Sequence, residues 1–253
     1  MFRITIDQDR CTGCGLCVGD CLVNDIELAD GKALAHNQNC FQCGHCLAIC
    51  PQKAVEPDKG REDIKEYEEG PFTLEPETLL NVIKFRRSVR RYQAKEVERD
   101  KLEKIIEAGR FTETASNSQG VSYIVIQKEI PLIREIAAKK LKRLVKIGYN
   151  ISGLDIDKGD FLFRYAPAVI LTLAKSEVDA ALAASRMELM AVAQGLGVFF
   201  SGLFVIIANH DKKIKEILEM QEDEQIVTCL ATGYPDVKYF RTVPRREARI
   251  RWK

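Results

Sequence analysis

The chain has 253 residues, room for a small domain plus one full-sized domain. Its 38 basic and 37 acidic residues nearly cancel, which argues against a nucleic-acid or membrane-surface partner. The longest strongly apolar stretch, Gly197–Ala208, is too short to span a bilayer. At the amino terminus, Met-Phe-Arg-Ile-Thr-Ile-Asp carries charge where the apolar core of a secretion signal would run, so a reducing cytoplasm is the expected compartment.

Eight of the nine cysteines form two copies of Cys-x-x-Cys-x-x-Cys-x-x-x-Cys: Cys11, Cys14, Cys17 and Cys21, then Cys40, Cys43, Cys46 and Cys50, offset by 29 residues. Zinc ribbons place two cysteines per knuckle rather than four in a row, and disulfides suit secreted chains. An iron–sulfur cubane has four iron corners, each needing one protein sulfur. Three cysteines at three-residue intervals wrap one face, and the fourth comes from elsewhere. Gly15 and Gly44 stand at the same place in each copy, where a missing side chain lets backbone approach inorganic sulfide. The pattern resembles a bacterial ferredoxin with two 4Fe–4S clusters, and the resemblance implies that each motif lends its last cysteine to the other cluster. Cys11, Cys14, Cys17 and Cys50 would then hold cluster 1, and Cys40, Cys43, Cys46 and Cys21 cluster 2. Pro51 follows Cys50 but Leu22 follows Cys21, which breaks the symmetry at one corner. His45 reads as a neighbour of the second cluster, and Cys229, in the apolar run Ile226–Ala231, as a core residue. Low-potential clusters are sensitive to oxygen, so an anaerobe is the expected setting.

From Glu56 the composition turns acidic, with Asp58, Glu62, Asp63, Glu66, Glu68 and Glu69 against Lys59, Arg61 and Lys65, and prolines at 57, 71 and 76. This reads as a connector over 57–75, with a helical turn or two, between a cluster domain (1–56) and a larger domain (76–253). Pro76 opens a helix to about Arg87 with Leu79, Leu80 and Ile83 turned inward. Asp100 caps a helix to about Ala108, with Leu102, Ile105 and Ile106 inward. Val121–Gln127 is rich in β-branched residues and reads as a strand. Apolar residues at 132, 133, 136, 137, 141, 144 and 145 trace one face of a helix over Pro131–Ile147. Ala168–Leu173 reads as a strand buried on both sides. An alanine-rich helix over Glu177–Leu196, a helix over Asp211–Met220 and a buried strand over Gln225–Thr232 complete the pattern. The fold class expected is α+β, with helices layered about a mixed sheet.

Within the larger domain, Arg86-Arg87-Ser88-Val89-Arg90 closes the first helix with a hydroxyl and guanidinium groups suited to a phosphate. Ser116-Asn117-Ser118-Gln119 is a polar loop before a strand. Gln194-Gly195-Leu196-Gly197 leads to Ser201-Gly202, where small residues admit a flat ligand. Gly233-Tyr234-Pro235 precedes Lys238, Arg241, Arg245 and Arg246. In this order the pieces resemble the nitroreductase family of FMN-dependent oxidoreductases, from about Leu74 to the carboxyl terminus. The resemblance implies FMN at the interface of an interwoven homodimer. Arg86, Arg87, Ser88 and Arg90 would hold its phosphate and ribityl end, Asn117 and Gln119 would meet the isoalloxazine, and Ser201 and Gly202 would lie along the ring near its reactive nitrogen. Arg241 and Arg245 would complete the phosphate site.

The whole chain thus looks like a ferredoxin-like two-cluster domain fused to a nitroreductase-like domain. The implied function is an oxidoreductase in which a donor such as ferredoxin feeds two 4Fe–4S clusters and FMN for reduction of a small flat acceptor: a nitro compound, a quinone or an activated alkene. Two alternatives stand beside it, an electron-transfer adaptor serving another protein and a specialist in dehalogenation or cofactor modification. Gly120-Val121 stands where many members have Pro-Trp, which puts the usual acceptor preference in question. There is no Gly-x-Gly-x-x-Gly turn for a separate dinucleotide domain, and no catalytic acid or base is assigned.

Overall fold

The computed structural model describes residues 2–68, 70, 73–149 and 159–253. Glu69 and Pro71 of the connector lie outside the described residues. The chain divides into two compact units: one holds the residues up to Thr73 together with Ala115–Ser118, and the other holds Leu74–Thr114 and Gln119–Lys253.

The first unit is built on two small antiparallel pairs. Strand β1 (Ile4–Ile6) runs against β4 (Val55–Pro57), with Ile4 opposite Pro57. Strands β2 (Ile26–Ala29) and β3 (Lys32–Ala35) form a hairpin. Its two-residue turn is Asp30-Gly31, both at positive φ, the local chemistry that matches strand twist. Two short helices, α1 (Leu16–Gly19) and α2 (His45–Ile49), carry one cysteine each, and the small core gathers Ile4, Ile26, Ala33, Ala54 and Val55 around Cys11 and Cys17. The acidic connector begins inside β4, where Glu56 pairs with Arg10 and with Arg61. A 3-10 turn follows at Arg61–Asp63.

The second unit is centred on a four-stranded antiparallel sheet in the order β5-β6-β8-β7: β5 (Ser122–Ile126), β6 (Ala168–Leu173), β7 (Gly197–Phe200) and β8 (Ile226–Gly233). A parallel bridge from Ser88 to Val198 adds a mixed edge at β7. Every residue of β6 is buried, and its side chains alternate between two cores. Val169, Leu171 and Leu173 face a cluster with α5 (Ile130–Lys146), α7 (Gly202–Asn209) and α8 (Lys212–Ile217). Ala168 and Ile170 face Leu102 and Ile105 of α4 (Arg99–Arg110) and Met187 of α6 (Glu177–Ala193). Each large side chain in these layers contributes about 1.5–3 kcal/mol of burial. Serine and aspartate begin the helices where they stand: Ser176 Oγ accepts the Asp179 N–H and Asp211 Oδ1 the Ile214 N–H.

Several expectations are corrected. Leu79, Leu80 and Ile83 do not turn inward on α3 (Pro76–Phe85); they are 39, 39 and 46 % exposed, beside an equally exposed Phe85. The periodicity is real, but none of the described residues covers that face. Leu132 is also exposed, because Ile130, Ile133, Ala137 and Leu141 form the buried stripe of α5. Asp100 sits within the first turn of α4 rather than capping it, Glu98 being the cap residue. Strand β7 and helix α7 divide an apolar run whose period gives no boundary between them. From Val237 to the end the chain adopts no regular structure, and Tyr239, Phe240, Val243, Ile250 and Trp252 of this tail are exposed.

Tyr234, just past β8, anchors the segment before α4. Its hydroxyl donates to Glu98 Oε2 (2.5 Å) and accepts from Lys101 Nζ (2.9 Å), while Lys95 Nζ lies 3.7 Å from the ring centroid. The Tyr234 hydroxyl, with Lys95 adding to it, holds the Glu98 carboxyl down at about 2. A depressed carboxyl stabilises the fold above its ordinary value near 4.5 and loses that contribution as pH falls through about 2. In Tyr234→Phe the Glu98 midpoint is expected to climb toward the ordinary range, read by carbon-detected NMR titration; an unmoved midpoint would remove the hydroxyl as its cause.

Candidate redox centres

The two cysteine motifs are positioned by the same local device. Gly15 (φ 74°) and Gly44 (φ 75°) immediately precede α1 and α2, in the left-handed region that a side chain disfavours. Each turn throws the next cysteines, Cys17 and Cys46, onto the first turn of a helix. A cavity is lined by Cys11, Cys14, Cys17 and Cys50, with Ile6, Ala33, Ala54 and Val55 as apolar wall. The last cysteine of the second motif thus joins the first three of the first. Around the other set, burial pushes the Cys46 thiol up to about 11, with Cys40 and Cys43 among the neighbours that add to it.

Backbone amides are aimed at the sulfurs. Ala33 N–H donates to Cys11 Sγ (3.4 Å) and Ala54 N–H to Cys50 Sγ (3.3 Å). Asp25 N–H donates to Cys21 Sγ and Gln42 N–H to Cys40 Sγ, both at 3.3 Å. Such donors favour sulfur as an anion. Among the described residues no three His, Cys, Asp or Glu side chains converge as a single ion requires. Four thiols standing around a cavity, with amides directed at sulfur, fit the four corners of a cubane.

In the second unit, the Arg86–Arg90 segment leaves α3 and runs alongside β7. Val89 N–H donates to Val198 O (3.0 Å), and Val89 is buried against Gly197. This leaves Arg86, Arg87 and Ser88 half-buried and Arg90 exposed. The same strand continues into Ser201 and Gly202. Ser201 is buried, its N–H donating to Cys229 O (2.9 Å), and Gly202 opens α7 with free space where a side chain would stand. The arginine–serine segment and the Ser201-Gly202 turn are therefore brought to one strand.

Other expected residues lie elsewhere. Asn117 Nδ2 donates to Phe41 O (3.0 Å) and Gln42 O (2.9 Å), on the loop between Cys40 and Cys43. Its loop is held tightly, with Ser116, Asn117 and Gln119 all at positive φ near 50°. Gln119 is exposed, its N–H donating to Thr114 Oγ1. Arg241 and Arg245 are exposed on the tail.

Three residues escaped the sequence reading. Glu188, nearly buried on α6, pairs with Arg86 (2.6 Å), so part of that guanidinium's charge is already met within the chain. Its signal was an acid on the alanine-rich face of a long helix. Arg164 stacks over Phe161 (4.6 Å) and shares the Phe199 ring with Arg90 (5.8 Å each), while its buried Nε has no hydrogen-bond partner among the described residues. Arg164 and Tyr165 are consecutive left-handed residues, φ 60° and 61°, a strain that no pattern of residue types announced. Phe199 carries the pair of arginines from within the apolar run that hid β7.

Residues 83–234, more than half of the chain, match the model of the nitroreductase family. The chain belongs to the nitroreductase family. Ahead of this nitroreductase region, residues 3–64 match the 4Fe-4S dicluster domain. Among curated proteins, a ferredoxin of Pyrobaculum islandicum is 41 % identical over 54 residues, 21 % of this chain and 50 % of the ferredoxin. An NADPH-dependent oxidoreductase of Staphylococcus aureus is 27 % identical over 169 residues, 63 % of this chain and 65 % of that protein. The chain therefore spans half to about two thirds of the length of these relatives. A nitroreductase with bound FMN from Bacteroides fragilis shares the fold at TM-score 0.58 and 20 % identity, over 68 % of this chain and 97 % of that one.

Proposed function

We propose that this nitroreductase-family protein is an FMN-dependent oxidoreductase fed through two 4Fe–4S clusters, and that its acceptor is a small flat molecule such as a nitro compound, a quinone or an activated alkene. The observation that carries the reading is the cavity lined by Cys11, Cys14, Cys17 and Cys50 in a chain whose larger part is a nitroreductase domain. Bound flavin would supply the conversion of single electrons into a two-electron reduction.

Arg87, Ser88 and Arg90 are the groups offered to the phosphate end. Glu188 orients Arg86 rather than leaving it wholly free. Arg164, beside Arg90 on the Phe199 ring, adds a guanidinium whose Nε has no partner among the described residues. The Ser201-Gly202 turn at the start of α7 gives open space and helix N–H groups beside a flat ring. Asn117, Gln119, Arg241 and Arg245 are proposed to turn to the flavin when it binds. A second copy of the chain fits this reading, because Leu79, Leu80, Ile83 and Phe85 form an uncovered apolar face and the tail after Val237 presents further apolar side chains. A redox protein such as ferredoxin is the proposed donor, in a cytoplasmic setting.

Anaerobic purification, with iron, acid-labile sulfide and flavin counted per chain and mass measured by sedimentation, tests the reading. Two clusters and one FMN per chain in a dimer are expected, with bleaching of the flavin on addition of reduced ferredoxin and a nitro or quinone acceptor turned over. Zinc in place of iron, or no flavin, would overturn it.

A further inference from the structure

The halves of the iron–sulfur unit follow the 29-residue offset, and their departures from symmetry fall on charge. Asp25 and Ala54 occupy the same place. Each follows a left-handed residue, Asn24 (φ 51°) or Lys53 (φ 49°), and each donates its N–H at 3.3 Å to the cysteine four residues earlier, Cys21 or Cys50. One site therefore receives a buried carboxylate and the other a methyl group, at 5 and 1 % exposure. Asp25 Oδ1 also accepts the N–H groups of Gln38 (3.0 Å) and Asn39 (2.9 Å), which lead into Cys40. Its carboxylate stands between the segments supplying Cys21 and Cys40, two ligands of one proposed set.

The opposite charge stands at the other set. Lys32 Nζ donates to Gln8 O (2.9 Å) and to Cys11 O, and the next residue, Ala33, directs its N–H at Cys11 Sγ. The residue 29 positions on, Arg61, is turned instead to Glu56 and to Pro57 O. Charged neighbours at the surface pair off, Lys53 with Glu66 and Arg10 with Asp7 and Glu56, so their fields largely cancel.

We propose that Lys32 and Asp25 split the reduction potentials of the two clusters, so that the first electron supplied by an external reductant is held at the Cys11–Cys14–Cys17–Cys50 site. The inference rests on the two-cluster reading. Adding one electron makes a cluster more negative by one charge. A cation beside Cys11 stabilises that state, whereas a carboxylate beside Cys21 and Cys40 opposes it. Asp25 is buried and weakly screened, Lys32 is half-exposed but its ammonium is held on the Cys11 carbonyl, and cluster potentials respond to net charge and to hydrogen bonds at sulfur.

The test is a redox titration of the full-length protein with dithionite, followed by electron paramagnetic resonance, with iron and sulfide counted in each sample. Two separated one-electron midpoints are expected. Asp25→Asn keeps an oxygen for Gln38 and Asn39 while removing the charge; it is expected to raise the lower midpoint, cutting the constant for electron exchange between the sites about tenfold, or about 59 mV for one electron. Lys32→Gln is expected to lower the upper midpoint by a similar factor. Lys32 is half-exposed, so its variant decides the matter should Asp25→Asn fail to assemble. Coincident wild-type midpoints, unmoved midpoints, or both variants acting on the same midpoint, with about eight irons bound, would overturn the proposal. Fewer irons in the wild type would instead remove the two-cluster reading, and the proposal with it.

Discussion

Replacing Cys14 with alanine is expected to abolish ferredoxin-driven turnover while leaving chemically reduced flavin able to react. Cys14 is the exposed member of the four thiols around the cavity; Cys11 and Cys17 are buried beneath it. On the proposed ligand set, its loss would leave one iron corner without protein sulfur. Losing even an outer-shell partner of a metal site costs 10–100-fold, so losing a ligand outright should lower the donor-driven rate by about 100-fold or more. Bound iron should fall from about eight to about four per chain as that cluster is lost. The measurement is paired: acceptor reduction driven by reduced ferredoxin, and reoxidation of flavin first reduced by dithionite. Donor-driven rates that survive the substitution would take this cluster off the route.

Gly197→Val is expected to disrupt the other centre. A side chain begun at Gly197 would place its first carbon 2.4 Å from Val89 Cγ2 and 2.7 Å from Val89 Cβ. Val89 is buried and cannot swing aside, because its N–H is bonded to Val198 O. The Arg86–Arg90 segment must then lift away from β7. Overpacking of this kind costs about 1–3 kcal/mol, read as a lower urea midpoint, and flavin retained per chain should fall with it. The double variant Gly197→Val, Val89→Ala should recover part of both losses, with a coupling of about 0.5–3 kcal/mol as expected for touching residues. Wild-type stability together with full flavin in the single variant would show that this close approach does not hold the segment.

The parts legible in the sequence were those whose chemistry is local. Cysteine spacing marked the two motifs because cysteines three residues apart need no tertiary knowledge, whereas the exchange of their last cysteines came only from the resemblance to ferredoxins. Strand β6 was recognisable because a chain buried on both faces must be apolar at every position. The face of α3 was misjudged for the converse reason: periodicity reports that Leu79, Leu80 and Ile83 avoid water, not which molecule covers them. The Arg86–Glu188 pair joins residues 102 apart, and the pairing of Asn117 with carbonyls of Phe41 and Gln42 spans more than 70, distances over which residue types alone carry no signal. Arg164 was hidden by an unusual backbone, since nothing in Phe-Arg-Tyr requires two left-handed residues in succession.

The unstructured tail carries the molecule's single tryptophan, Trp252, at 90 % exposure. Intrinsic indole emission therefore reports on that arm alone, silent about both cores. Its wavelength becomes a private gauge of whether the last residues lie in water or beneath another molecule, readable without adding any dye.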